Sequence, residues 1–407
     1  MASGAPRLRS DPAPRNILLP RLRSGRPGGR ARRAGRMASF RDLVAAAHAR
    51  AQSQAQITDR KTRREETILG LLATPDFFPA KIDWQRQAIV FAQMSRESFR
   101  RSTFLDERLV RGGSASFSAG LAELSPNFTT EQAKRPSHYI LHGAFCGSTL
   151  MARHLEELPH CFVLKEPELL AQLARSESSR SEAAAFGSWM DWFELSLSLL
   201  ARAYPSDTAV VTKVCDVCNW MGSRLLDHDD RTKIVFLSSP LKTFLLSVLK
   251  RDDRRRWCRG RVRQLHGHLV QIPFLTDISV EDLSDGQRAA VLWLLNSFLC
   301  NSLLARPDAD RVRSLNSEEL IRRPLDNLFD AADFFGLTDD EANQAALTAL
   351  RPLSYHAKDL HLPYDAASRA TDLDDAVVRF GGEVRAAISW TEQVASGWLP
   401  QSPFPVE

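Results

Sequence analysis

The chain is 407 residues long, 43% hydrophobic and 25% charged, with a formal net charge of +5. That length exceeds one minimal core and fits a large α/β domain with appended helices, or two domains, of ordinary globular composition. No run approaches the roughly 18 uninterrupted apolar residues of a membrane span, the best being 243–249, so a soluble chain without a membrane span is expected.

The charge is unevenly placed. Residues 1–36 carry ten arginines and no lysine against one acid, Asp11, a net +9 that leaves the remainder near −4. This segment is otherwise mostly Pro, Gly, Ala and Ser, too poor in apolar surface to offset its ordering entropy, and is predicted to be disordered. It lacks the apolar stretch of a secretory signal. Met37-Ala38-Ser39 repeats Met1-Ala2-Ser3 and leads into a helical pattern, which makes Met37 an alternative start and residues 1–36 dispensable for stability.

Residues 39–105 read as helices. Phe40, Leu43, Val44 and Ala47 recur at helical spacing, a second run covers 67–72 before Pro79, and a third covers 84–99. This predicts an all-helical N-terminal subdomain over 37–110, followed by a Gly- and Ser-rich linker at 112–127. From His138 short apolar runs alternate with helical patterns, the signature of βαβ units. Candidate strands lie at 139–141, 161–164, 209–212, 233–237 and 312–315. Candidate helices lie at 148–158, 189–203, 219–226, 241–250, 288–304, 326–335, 339–350 and 372–394. The predicted fold class is α/β, a P-loop NTPase-like parallel sheet flanked by helices over 137–400.

The first strand runs into His142-Gly143-Ala144-Phe145-Cys146-Gly147-Ser148-Thr149-Leu150. Two glycines before a helix let backbone N–H groups converge on an anion, the helix N-terminus adds partial positive charge, and Ser148 and Thr149 add hydroxyl donors. The plainer alternative is a tight turn whose Ser and Thr cap the helix. The loop has no Walker A lysine, and the run 233–237 ends in Ser238-Ser239 where a Mg²⁺-binding Asp would stand, which disfavours ATP chemistry. Cys146 sits where a helix start lowers a thiol pKa, but six residues separate it from Arg153 where Cys phosphatases have five. Six cysteines in so long a chain make no disulfide framework, and Cys215-x-x-Cys218 has no second pair at zinc-ligand spacing. No metal is expected, and a reducing cytoplasm is the expected location.

Three features in order resemble the sulfotransferase family of P-loop proteins. Phe145-Cys146-Gly147-Ser148-Thr149-Leu150 is similar to that family's site for the 5′-phosphosulfate of 3′-phosphoadenosine 5′-phosphosulfate (PAPS). Phe236-Leu237-Ser238-Ser239-Pro240, with Ser247-Val248-Leu249-Lys250, resembles its strand–Arg-x-Pro–helix–Ser element for the 3′-phosphate. Ser317-Glu318-Glu319-Leu320, Pro324 and Phe334-Phe335-Gly336-Leu337 resemble a run found late in such chains. The loop also resembles uncharacterised bacterial members with a Cys-Gly-Ser-Thr-Leu sequence. The family's loop cation falls on Ala144 or Phe145 here, and its Arg before the 3′-phosphate Pro is Ser238.

The resemblance implies PAPS as cofactor, held by Gly143, Cys146, Gly147, Ser148, Thr149, Leu150, Arg153, Ser239 and Ser247. Sulfuryl transfer needs positioning, cationic stabilisation of the departing phosphate and a base for the acceptor. Lys165 and Lys213 stand at predicted strand ends on the ligand side of the sheet. Lys165-Glu166-Pro167 also resembles the family's Arg/Lys-Glu-Pro segment, making Glu166 a candidate base. The eight basic residues of 250–263 are a candidate replacement for the lost Arg, or a solvated helix face. His356 and Lys358 could form a late basic loop. Nucleic acid is not expected as a partner, since only Trp257 interleaves that basic run with an aromatic ring. The expected function is sulfuryl transfer from PAPS to an unidentified hydroxyl or amine acceptor. A P-loop kinase- or phosphatase-like enzyme and a non-catalytic nucleotide-binding module are the alternatives.

Overall fold

Part of the predicted helical N-terminal subdomain folds instead as strands. β1 (Phe77–Asp83) and β2 (Ala88–Gln93) form an antiparallel hairpin, and β3 (Ser116–Gly120) pairs with β2 on its other side. The run Ala88-Ile89-Val90-Phe91 is too short for periodicity to separate helix from strand. Its β-branched and aromatic side chains, and a left-handed Gln87 (φ 49) in the preceding turn, fix it as a strand. Helix does form at both ends of the region, at Phe40–Leu71 and Arg96–Arg101. β3 lies inside the predicted linker: between its serines, Phe117 stacks on Phe91 with ring centroids 4.8 Å apart, and Ala119 is buried.

The computed structural model describes residues 40–106, 108–111, 115–124, 135–177, 189–351, 355–356, 359–363 and 366–407. The arginine-rich segment 1–36 and Lys358 lie outside the described residues, as does the side chain of His356. The chain divides into two compact units, 1–60 and 61–407. In the first, the described part belongs to the helix that begins at Phe40.

All five predicted strands of the second half form. β4 (Ser137–His142), β5 (Cys161–Lys165), β6 (Ala209–Lys213), β7 (Ile234–Ser238) and β8 (Val312–Asn316) make one parallel sheet in the order β5-β6-β4-β7-β8. Both faces of β4–β7 are covered, which is why β5, β6 and β7 read as near-continuous apolar runs, whereas the edge strand β8 is only partly buried. One face, carrying Ile140, Val163, Val211 and Val235, packs on Met151 and Leu155 of the helix Ser148–Leu155 and on Leu328 and Ala331 of the helix Pro324–Phe334. The other, carrying Leu141, Leu164, Val210 and Phe236, packs on the helices Trp189–Leu200, Leu241–Leu249 and Asp285–Leu304. The last of these begins with a capping box between Ser284 and Gln287.

This order positions the site. From β4 the chain crosses to the far edge at β5, whereas every later connection moves back toward β8. The connections after the neighbouring strands β4 and β6 therefore run in opposite directions. In open parallel sheets such a switch point, at the carboxyl ends of the strands, is where ligands bind.

Candidate functional site

At that switch point β4 ends in His142 and the chain turns through Gly143–Gly147 into the helix Ser148–Leu155. Ala144 (φ 63), Phe145 (φ 51) and Gly147 (φ 84) are all left-handed. Two such non-glycine residues in succession store roughly 1–2 kcal/mol each, so their surroundings must hold them. The Ala144 N–H donates to Nδ1 of His142 (3.1 Å), the Cys146 thiol donates to the Leu237 carbonyl (3.3 Å), and the Phe145 ring meets Trp257 edge-on at 5.0 Å. Gly143 is needed for space, since a Cβ there would lie 2.7 Å from Oγ of Ser238.

The helix start is built to take an acceptor. Gly147 occupies the cap position and supplies no side-chain bond, so the first-turn N–H groups of Ser148, Thr149 and Leu150 have no cap. The hydroxyls of Thr149 and Ser238 are buried without a hydrogen-bond partner. Buried polar groups are otherwise nearly always bonded, so two orphans beside an uncapped helix start fit an anion that would accept from them.

A charged group closes the neighbouring strand ends. Lys213, the last residue of β6 and 1% exposed, is bonded to Oε1 of Glu166, which follows β5 in a left-handed conformation (φ 53) and is 20% exposed. His142 Nε2 lies 3.8 Å from the same oxygen. Asn219 fixes the His142 backbone on both sides, accepting its N–H (3.3 Å) and donating to its carbonyl (2.8 Å), and is itself held by Asn296 at 2.6 Å. The Lys213 ammonium also faces the Phe104 ring at 5.8 Å.

The arginine-rich run is the helix Asp252–Gln264, and its members differ sharply. Arg251 pairs with Asp253, Arg255 with Glu383 and Asp285, Arg259 with Asp285, and Arg261 with Asp216. Among the described residues Arg254, Arg256 and Arg263 make no ion pair, and of these three only Arg254 is partly buried. Its guanidinium lies 4.5 Å from the Phe145 ring centroid and donates to the Ser247 carbonyl at 2.7 Å. Burial, and then the charge of Arg251, pull its pKa below the usual arginine value. A half-buried cation in no direct ion pair among the described residues, seated on the loop with Asp253 and Asp372 acting on it only at longer range, is the electrostatic counterpart of the two orphaned hydroxyls.

Two expected site residues point elsewhere. Lys165 (0% exposed) and Arg153 (4% exposed) both bind Glu156, Lys165 through Oε1 and Arg153 through Oε2 at 3.2 Å, and both also donate to the Arg100 carbonyl. Alternation along β5 puts Lys165 on the side of Cys161 and Val163, under the loop helix, and Glu156 follows that helix. Burial pushes the Lys165 ammonium down to about 8 and raises the Glu156 carboxyl, while each partner's charge works against the shift. Lys165 and Arg153 are thus engaged with Glu156 and the Arg100 carbonyl beneath the loop helix rather than turned toward the loop. Ser239 Oγ bonds Ser317 Oγ at 2.9 Å, tying the second and third resembling segments together. Ser247 touches the site through its carbonyl.

Cys215 donates its thiol to Asp216 (3.4 Å), and burial, then Asp216, pushes it up to about 12, so this Cys-x-x-Cys offers no thiolate; all six cysteines are free. Among the described residues no group of three or more His, Cys, Asp or Glu could hold a metal ion, and no helix is long and apolar enough to cross a membrane. Sequence reasoning missed His142, Glu156, Asn219 and the seating of Arg254 on the loop. The His immediately before the loop was legible as a ring close to backbone donors, and Glu156 was legible three residues after Arg153 on a helix. Which arginine would be seated over Phe145 was not.

No protein-family model matches the chain, and no curated protein matches it. Among the solved structures it is similar to are sulfotransferases and sulfotransferase domains. Sulfotransferase STF1 from Mycobacterium tuberculosis has a TM-score of 0.36 at 14% identity over 61% of this chain and 77% of that one. The sulfotransferase domain of the curacin biosynthetic pathway has 0.32 at 14%, over 61% and 98%. A sulfotransferase from Alicyclobacillus acidocaldarius has 0.33 at 15%, over 64% and 95%. Overlaps this loose carry no argument about chemistry, and the α/β class rests on the strand order above.

Proposed function

We propose that the β4 loop binds a phosphate of a 3′-phosphoadenosine nucleotide and that the protein is a sulfotransferase-like enzyme using PAPS as donor in the cytoplasm. The observation that carries this reading is Arg254, a half-buried guanidinium in no direct ion pair among the described residues, over Phe145 and bonded to the Ser247 carbonyl. It supplies the positive charge that Ala144 and Phe145 do not, and it does so beside the segment that resembles a 3′-phosphate site.

In the proposed reaction an acceptor hydroxyl or amine gives its proton to Glu166 and forms a bond to the donor's sulfur. The bond between that sulfur and the bridging phosphate oxygen breaks, and the oxygen leaves with the electron pair. The loop N–H groups and Arg254 stabilise the charge that develops there. Lys213 holds Glu166 in place through one carboxylate oxygen, and the partial exposure of Glu166 lets an acceptor reach it. No Mg²⁺-binding Asp is required for this transfer. A binding module without turnover is the second reading, favoured by the absence of a cation within the loop and by the engagement of Lys165 with Glu156.

Calorimetric titration tests the first reading. 3′-Phosphoadenosine 5′-phosphate is expected to bind more tightly than ATP with Mg²⁺, and Arg254→Met is expected to lose about 1.5–3 kcal/mol of that binding, the scale of a charged hydrogen bond. Unchanged affinity in Arg254→Met would remove the cation from the site. Binding without turnover of PAPS against any acceptor would leave the module.

A further inference from the structure

His142 is held in one protonation state by two bonds of opposite sense. Its Nδ1 accepts the Ala144 N–H at 3.1 Å, and its Nε2 donates to the Val214 carbonyl at 2.9 Å. Together they require a neutral ring with its proton on Nε2. Ala144 lies inside the loop, so one of the loop's backbone donors is turned back onto the side chain that precedes it. A protonated ring would carry hydrogen on both nitrogens and could not accept that N–H.

We infer that His142 is a positioning residue of the anion site, holding the Ala144 amide while neutral and releasing it to the ligand when protonated. This rests on the loop being the anion site proposed above. Several groups among the described residues face the ring. Glu166 Oε1, 3.8 Å from Nε2, favours the proton, and Lys213, bonded to the same oxygen, opposes it. Asn219 and Val214 are neutral, and Asp216 is paired with Arg261 two residues beyond Val214. On the loop's other side stands Arg254 over Phe145.

The sign of the linkage follows. A bound anion competes for the Ala144 N–H and places negative charge near the ring, and both effects raise the affinity of His142 for a proton. Binding therefore takes up a proton, and affinity rises as pH falls through the imidazole range. The full chain is titrated with 3′-phosphoadenosine 5′-phosphate and with inorganic sulfate, which takes up no proton across this range, so any slope with sulfate belongs to the protein. Sulfate is expected to bind roughly tenfold more tightly at about pH 5.5 than at about pH 8, the most that a single linked proton supplies per pH unit of full uptake.

His142→Asn offers the same amide an oxygen two residues back, as in an Asx turn, and that oxygen cannot be protonated. It is expected to bind with a flat pH profile. Selective ¹⁵N-histidine NMR on the parent gives a second readout: an unprotonated Nδ1 at high pH that shifts toward the protonated form when sulfate is added. Parallel pH slopes in the parent and His142→Asn, or a ring nitrogen indifferent to sulfate, overturn the inference. Absence of binding by both proteins at every pH overturns the anion site and this role with it, a result distinct from parallel slopes.

Discussion

Glu156→Gln is expected to destabilise the fold by about 3–5 kcal/mol, the scale of breaking a buried ion pair. The argument is a charge count. Lys165 and Arg153 are buried cations that share one carboxylate, each also facing the Arg100 carbonyl. Removing the negative charge without changing the side chain's volume takes from both buried cations the carboxylate they share, so no cavity contributes to the loss. Lys165→Met should be far milder, because Arg153 and Glu156 remain as a balanced pair. It should also leave nucleotide affinity untouched, since the lysine lies beneath the loop helix. Urea unfolding of the three proteins, with titration of 3′-phosphoadenosine 5′-phosphate into parent and Lys165→Met, checks both statements. A loss under about 1 kcal/mol in Glu156→Gln would mean that water reaches the cluster. Weakened nucleotide binding in Lys165→Met would return that lysine to the site.

The parallel sheet was legible because four of its five strands are buried on both sides. Runs such as Ala209-Val210-Val211-Thr212 admit no amphipathic helix, and the patterns between them carry helical spacing, so the fold class follows from two periods. The small antiparallel sheet was not legible for the converse reason. Ile89, Val90 and Phe91 form a run too short to show a period, and β3 looks like a linker because Ser116, Ser118 and Gly120 outnumber the two side chains that pack. There the pairing partner, not the local pattern, decides the structure.

The site divides along the same line. The loop was visible, since glycines and hydroxyls between a strand and a helix constrain the backbone locally. The assignment of cations was not, because it depends on what arrives at a strand end from elsewhere in the chain. Lys165 and Lys213 end neighbouring strands and read alike, yet one is bound beneath a helix by Glu156 and the other holds Glu166 at the strand ends. Arg254 is one of six arginines in the helix Asp252–Gln264, and only its three-dimensional neighbours, Phe145 and the Ser247 carbonyl, set it apart from arginines that carry carboxylate partners.

Gly147→Val is expected to abolish binding of 3′-phosphoadenosine 5′-phosphate, the largest functional loss of any single change in the loop. Gly147 has φ 84, a conformation that costs a β-branched residue roughly 1–2 kcal/mol or more. Its Cβ would also stand 3.3 Å from Cδ2 of Leu320. The backbone can relieve that strain only by leaving the left-handed region, which turns the N–H groups of Ser148 and Thr149 away from the point where they converge. Some fold stability is lost as well, so a melting curve alone cannot assign the effect. Gly336 provides the control: it has φ 74, its Cβ would meet nothing nearer than 3.6 Å, and it ends the helix Pro324–Phe334 without entering the loop. Gly336→Val should therefore lower the melting temperature by a comparable amount and still bind. Thr149→Ala should weaken binding only modestly, because it removes one hydroxyl and leaves the backbone cradle in place. If Gly147→Val binds like the parent while melting lower, the loop is a strained turn and the anion site lies elsewhere.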